Sequence, residues 1–207
     1  MPFKLLTQQV GPFRLNTYVI IDEGTKTSAI IDPGGDPEAI LALVAGTKVD
    51  KILITHGHFD HILALDPVHE ATGALIYLHP ADAAQFELKY QAPLYGDAVI
   101  AIGNLHLRVI HTPGHTPGQC CFDLGDGRIL VGDTIFVGGP GHTASPADFA
   151  LTMETLQKIV FTWPDETRFF PGHGPSGVIG NERPAFERFL ARGWPGELHG
   201  DVIWDSA

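Results

Sequence analysis

Short apolar runs punctuated by glycine and proline open the chain. Residues 3–10, 17–22 and 28–32 read as strands between Gly/Pro turn signals. After Asp32-Pro-Gly-Gly, helical spacing with a proline in the first turn predicts a helix over 37–45. A short apolar strand, 51–54, then runs directly into the polar loop 55–61. The pattern continues with a helix over 62–72, a strand over 74–78, a helix over 81–89 and a turn-rich passage. The second half repeats the style. Strands are predicted over 105–110, 119–123 and 128–131, a helix over 147–160, and a last strand over 167–170 ending in Pro171-Gly-His-Gly-Pro. Residues 184–191 form the final predicted helix. Two successions of strands followed by helices predict an α/β fold of two facing sheets with helices outside. With no repeat or long linker, residues 1–207 read as a single domain.

Composition narrows the class. The chain is 44% hydrophobic and 18% charged, as a globular protein is, and its 24 glycines and 16 prolines suit short elements joined by tight turns. It carries 13 basic against 24 acidic residues, a formal charge of −11, with no Lys/Arg cluster. That argues against a nucleic-acid partner, whose phosphates need a basic footprint. The two cysteines, Cys120 and Cys121, are adjacent. On a strand they point to opposite faces, so a disulfide between them is not expected. The N-terminal residues lack a signal-like apolar core, and no apolar run approaches the roughly 18 residues that span a bilayer. The expectation is a cytoplasmic protein without a membrane partner.

Histidine and aspartate placement carries the chemistry. His56, His58, Asp60 and His61 follow the strand over 51–54, and His115 follows the strand over 105–110. Asp133 follows the strand over 128–131, and His173 the strand over 167–170. Loops at strand ends converge on one edge of a sheet, so four strand ends deliver imidazoles and carboxylates to one place. His56 and His58, two apart in extended backbone, project to the same side and can share one ion, while Gly57 removes side-chain bulk between them. Asp60 and His61 follow a turn, displaced towards a neighbouring ion. Neutral imidazole and carboxylate suit Zn²⁺, and also Fe or Mn.

The stretches Thr55-His-Gly-His-Phe-Asp-His, Thr112-Pro-Gly-His-Thr-Pro-Gly, Gly132-Asp-Thr-Ile-Phe and Pro171-Gly-His-Gly resemble the metallo-β-lactamase superfamily, and within it the glyoxalase II-like branch. Asn16-Thr-Tyr and Asp32-Pro-Gly match its earlier signatures. The resemblance implies a four-layer αββα sandwich with two divalent metal ions, zinc first among them. One ion would take His56, His58 and His115, the other Asp60, His61 and His173, with Asp133 bridging. Such a pair holds a shared water, lowers its pKa towards neutrality and polarises a substrate carbonyl, so a metal-bound hydroxide is the expected nucleophile. Asp60 would orient it and shuttle a proton. Asp32 is read either as the acceptor that fixes a ligand imidazole or as a turn residue before Pro33.

The resemblance leaves the substrate open. Glutathione thioesterases of this branch carry an additional C-terminal helical region, and here the tail after His173 is short and acidic. His142 stands where relatives carry a base, and reads as pocket-lining or as a plain loop residue. The first expectation is a hydrolase of small thioesters, lactones or related acyl compounds. The second is a persulfide dioxygenase with one iron on His56, His115 and Asp133. A β-lactamase and an RNA-processing nuclease follow, the latter opposed by the charge. Trp163, Trp194 and Trp204 read as packing residues, and His69, His106 and His199 as solvated.

Overall fold

The computed structural model describes residues 3–205. Strands β1 (Phe3–Val10), β2 (Leu15–Asp22) and β3 (Thr27–Ile31) form an antiparallel meander. To it β4 (Lys48–Leu53), β5 (Leu75–Leu78) and β6 (Ala92–Pro93) add in parallel, giving the first sheet in sequence order. In the second sheet β7 (Val99–Ile102), β8 (Leu105–His111), β9 (Cys120–Asp123) and β10 (Arg128–Gly132) run antiparallel in succession. A small hairpin, β11 (Ile135–Phe136) and β12 (Gly139–Pro140), leaves the sheet. The chain then returns as β13 (Arg168–Pro171), parallel to β10, with β14 (Gly177–Val178) at the edge.

Three apolar layers hold the fold. Tyr18, Ile20 and Leu53 of the first sheet meet Leu107, Val109, Cys120 and Phe122 of the second. On its other face, the first sheet buries Val19, Ile30 and Ile52 against Ile40 of α1 (Pro37–Leu43) and Val68 of α3 (Leu65–Thr72). The second sheet buries Cys121, Ile129 and Val131 against Phe149 and Met153 of α5 (Pro146–Lys158) and Phe186 and Phe189 of α6 (Ile179–Arg192). A strand covered on both faces buries every residue, as β2 does. The molecule is a four-layer αββα sandwich. Cys120 and Cys121 are free and buried in different layers, as their adjacency requires, and burial pushes the Cys121 thiol up to about 11. Trp163 and Trp204 are buried in the α5–α6 layer, and Trp194 stacks on Phe189. Among the described residues no helix is long and apolar enough to cross a membrane.

Several boundaries differ from the sequence reading. The helix expected over 62–72 starts only at Leu65, as α3, and a separate single turn, α2 (Phe59–Ile62), lies in the segment read as a loop. Pro67 explains the late start, because its ring opposes the carbonyl of Leu63 and lacks the N–H that would bond it. The freed backbone is used, with the Ala64 N–H donating to the Pro33 carbonyl at 2.8 Å. The last helix begins at Ile179 instead of 184 and carries Pro184 inside it. Tertiary contacts outweigh the proline signal there. Ile179 is fully buried, and Glu182 Oε2 accepts from the Gly138 N–H at 2.8 Å. The passage read as turn-rich contains β6 and β7. His69 is half-buried, with Nδ1 bonded to the Ala74 carbonyl.

Candidate metal centre

The strand ends converge as their placement predicts. β4 delivers Thr55 and His56, and His58 caps α2, whose first turn carries Asp60 and whose last turn carries His61. Asp32, just beyond β3 at φ 51, ties this loop down. Its Oδ1 accepts from the Thr55 N–H at 2.7 Å, while its Oδ2 meets Thr55 Oγ1 at 2.6 Å and His61 Nδ1 at 2.9 Å. His115 follows β8, and its Nδ1 donates to the His142 carbonyl at 2.6 Å. Asp133 follows β10 and His173 follows β13. Only glycine fits at 172, because a Cβ there would lie 2.3 Å from Asp133 Oδ1.

Two donor sets result. His56 Nε2 lies 3.1 Å from both His58 Nδ1 and His115 Nε2. Asp60 Oδ2 lies 3.0 Å from His173 Nε2, and Asp60, His61 and His173 gather their donor atoms within 4.8 Å of one another. Asp133 stands between the sets. Its Oδ2 is 3.8 Å from both His115 Nε2 and His173 Nε2, and its Oδ1 is 3.4 Å from His61 Nε2. All seven residues singled out for metal binding are therefore brought together, and Asp32 touches one of their imidazoles.

The donor chemistry fits divalent cations. Carbonyl and carboxylate partners only accept, so the outer nitrogens of His115 and His61 carry protons and their inner nitrogens face the centre. Thr55 Oγ1 lies 3.1 Å from His56 Nδ1 and gives its own proton to Asp32, so it serves His56 in the same way. Burial first, and crowding by the other imidazoles second, holds His56 well below the ordinary imidazole value and His58 down to about 4. Neutral imidazoles with converging lone pairs cannot bond one another, and they suit a cation. His61 is the exception. Against burial, Asp133 and Asp32 raise it to about 10, while the same imidazole leads those that hold Asp133 at about 2, again against burial. Even so, His61 Nε2 and Asp133 Oδ1 are buried without a hydrogen-bond partner. Two buried carboxylates beside orphaned donor atoms are what a bound cation would satisfy.

A cavity of about 380 Å³ opens over Asp133 and His173. Its walls come from Phe136, Val137 and His142 on one side and from Asp201, Val202 and Ile203, beyond α6, on the other. His142 thus lines the mouth, with Nδ1 3.1 Å from Asp201 Oδ1. The sequence reading missed that its carbonyl also holds His115, and it missed Asp82, which touches two of the ligand loops. Neither leaves a sequence motif. His79 and His111 lie apart from the centre, stacked on each other at 4.4 Å.

Residues 10–176 match the family model described as the metallo-beta-lactamase superfamily. The hydroxyacylglutathione hydrolase of Anaeromyxobacter dehalogenans is 38% identical to the chain, over 76% of the chain and 60% of that protein. Among solved structures, TTHA1623 in a di-iron-bound form is 32% identical with a TM-score of 0.72, over 86% of this chain and 96% of that one. ETHE1 from Myxococcus xanthus is 29% identical with a TM-score of 0.77, over 91% and 84% respectively. A four-layer sandwich with histidines and aspartates at its strand ends defines a metallo-hydrolase scaffold. The chain belongs to the metallo-β-lactamase superfamily, in its glyoxalase II-like branch.

Proposed function

We propose that the protein is a dinuclear metal-dependent hydrolase of small thioesters, lactones or related acyl compounds. The placement of Asp133 carries this reading, because its two oxygens face donors of both sets at 3.4–3.8 Å. His56, His58 and His115 would hold one ion, and Asp60, His61 and His173 the other, with zinc first and iron or manganese as alternatives. Two such ions, when bound, activate water and polarise an acyl carbonyl. Asp60 would orient that water and carry its proton. Against burial, the bond to His173 and the charge of His61 hold it below the usual carboxylate range, so it accepts hydrogen bonds as an anion.

The walls of the mouth bear on the substrate. Among the described residues no Lys or Arg lines the cavity, and Asp201 places a carboxylate beside His142. An anionic tripeptide such as glutathione would find one histidine and one like charge there, while Phe136, Val137 and Ile203 offer apolar area. The test compares kcat/KM for S-lactoylglutathione with that for short acyl thioesters and lactones. A charge-assisted contact contributes about 1.5–3 kcal/mol, so a true glutathione site prefers its ester by at least about tenfold. The expected result is no such preference in wild type and its appearance in His142→Arg. A strong wild-type preference overturns the substrate reading, and failure to hydrolyse any acyl substrate overturns the hydrolase.

The likeness to ETHE1, a persulfide dioxygenase, favours a second reading with one iron on His56, His115 and Asp133. A reproducible single iron, with O₂ consumed on persulfide substrates, would establish it in place of the first.

A further inference from the structure

Asp82 lies outside the donor set yet joins the two loops that supply its three-histidine half. It sits in the first turn of α4 (Pro80–Gln85) with its side chain fully buried. Its Oδ2 accepts from the Gly57 N–H, between His56 and His58, at 2.8 Å, and from Thr116 Oγ1, next to His115, also at 2.8 Å. Its Oδ1 accepts from the Gly118 N–H at 2.5 Å. Among the described residues it makes no ion pair with a basic side chain. Burying a carboxylate without a counter-charge is costly unless several donors converge on it, and here all three come from ligand loops. The same helix turn leads to Phe86, whose ring would lie 2.3 Å from a Cβ at Gly57 and packs edge-on to His58 at 5.2 Å. Gly118 is as tightly fitted, since a Cβ there would lie 2.6 Å from Asp82 Oδ1.

We propose that Asp82 is a positioning residue that presets the separation of His56 and His58 from His115, and so sets how tightly that half holds its ion. It rests on the reading that the centre binds two metals. The other half is anchored differently, by Asp32 through His61 and by β13 through His173, and Asp82 touches neither. Its effect is therefore confined to one of the two ions. Asp82→Asn keeps the shape but sets an NH₂ group against a backbone N–H, so one loop loses its acceptor. Thr116→Val is the milder perturbation, removing one hydrogen bond and leaving the carboxylate in place.

The test titrates metal-free wild type, Asp82→Asn and Thr116→Val with Co²⁺ against a competing chelator. The visible cobalt bands report ligand geometry, and thermal midpoints of the metal-free forms are taken alongside. In Asp82→Asn one Co²⁺ equivalent should weaken by about 10- to 100-fold with altered bands, the other staying within about twofold, and Thr116→Val should weaken the same equivalent less. Wild type binding no Co²⁺ would refute the metal reading itself. Wild type binding two, with both equivalents weakened alike or neither weakened in Asp82→Asn, would overturn the role given to Asp82. If Asp82→Asn does not fold, Thr116→Val decides, and unchanged affinities there overturn it.

Discussion

Replacing Asp32 by asparagine should selectively weaken the half of the centre that contains His61. Asp32 receives the Thr55 N–H, the Thr55 hydroxyl and His61 Nδ1 at 2.7, 2.6 and 2.9 Å. In Asp32→Asn the bond from the Thr55 N–H to Oδ1 survives, and the new NH₂ group takes the place of Oδ2. The Thr55 hydroxyl can turn and accept from it. The protonated Nδ1 of His61 cannot. One charge-assisted hydrogen bond is lost, worth about 1.5–3 kcal/mol, or His61 moves its proton to Nε2, the atom 3.4 Å from Asp133. Either route damages the nitrogen that faces the centre, so affinity for that ion should fall by about 10- to 100-fold. Global stability should suffer less, because asparagine tolerates the left-handed backbone that Asp32 adopts at φ 51. The assay is chelator competition for each equivalent, with imidazole nitrogen spectra reporting the His61 tautomer. If Asp32→Asn binds both ions as wild type does and the tautomer is unchanged, Asp32 is only a turn residue and the reasoning fails.

Two further predictions concern the same atoms. Asp133→Ala should lose both metals and nearly all turnover, while His56→Ala keeps one, because the carboxylate faces donors of both sets. Near-normal metal content and turnover in Asp133→Ala would contradict that placement. The metal-free protein should be most stable near pH 6.5, the ordinary imidazole value. His58, lowered to about 4 chiefly by burial, stays neutral when folded and protonates when unfolded, so its contribution is lost as pH falls from 6.5 towards 4. His61, raised to about 10, contributes fully below 6.5 and loses that contribution as pH rises through 10. Denaturant midpoints of the metal-free protein across this range check it, and stability rising steadily towards either extreme would refute it.

The candidate donor set was legible because each member sits on the loop that follows a short apolar strand, and strand ends are readable as pattern. The cysteine pair was legible for a related reason, since alternation along a strand sends neighbours into different layers. What escaped was set by tertiary contact. Pro67 set the start of α3 at Leu65 where the apolar spacing suggested 62, and buried Ile179 with Glu182 extended α6 ahead of Pro184. β7 was missed in the turn-rich passage, where it pairs with β8 through residues that carry no alternating polar face. At the centre, the His142 carbonyl and the Asp82 carboxylate hold ligand loops from 27 and 34 positions away in sequence. No local spacing announces such partners. Asp32 was half legible, as its turn pointed to a backbone role and only the fold put His61 beside it.

The most direct test of the account is elemental analysis of the purified protein, counting metal ions per chain, with hydrolysis of acyl substrates and O₂ uptake assayed on the same sample. Two ions per chain, with turnover on acyl thioesters or lactones rising as the second site fills, is the result predicted from two donor sets joined by Asp133. A single iron per chain, with no hydrolysis and with O₂ uptake on persulfides, would contradict it.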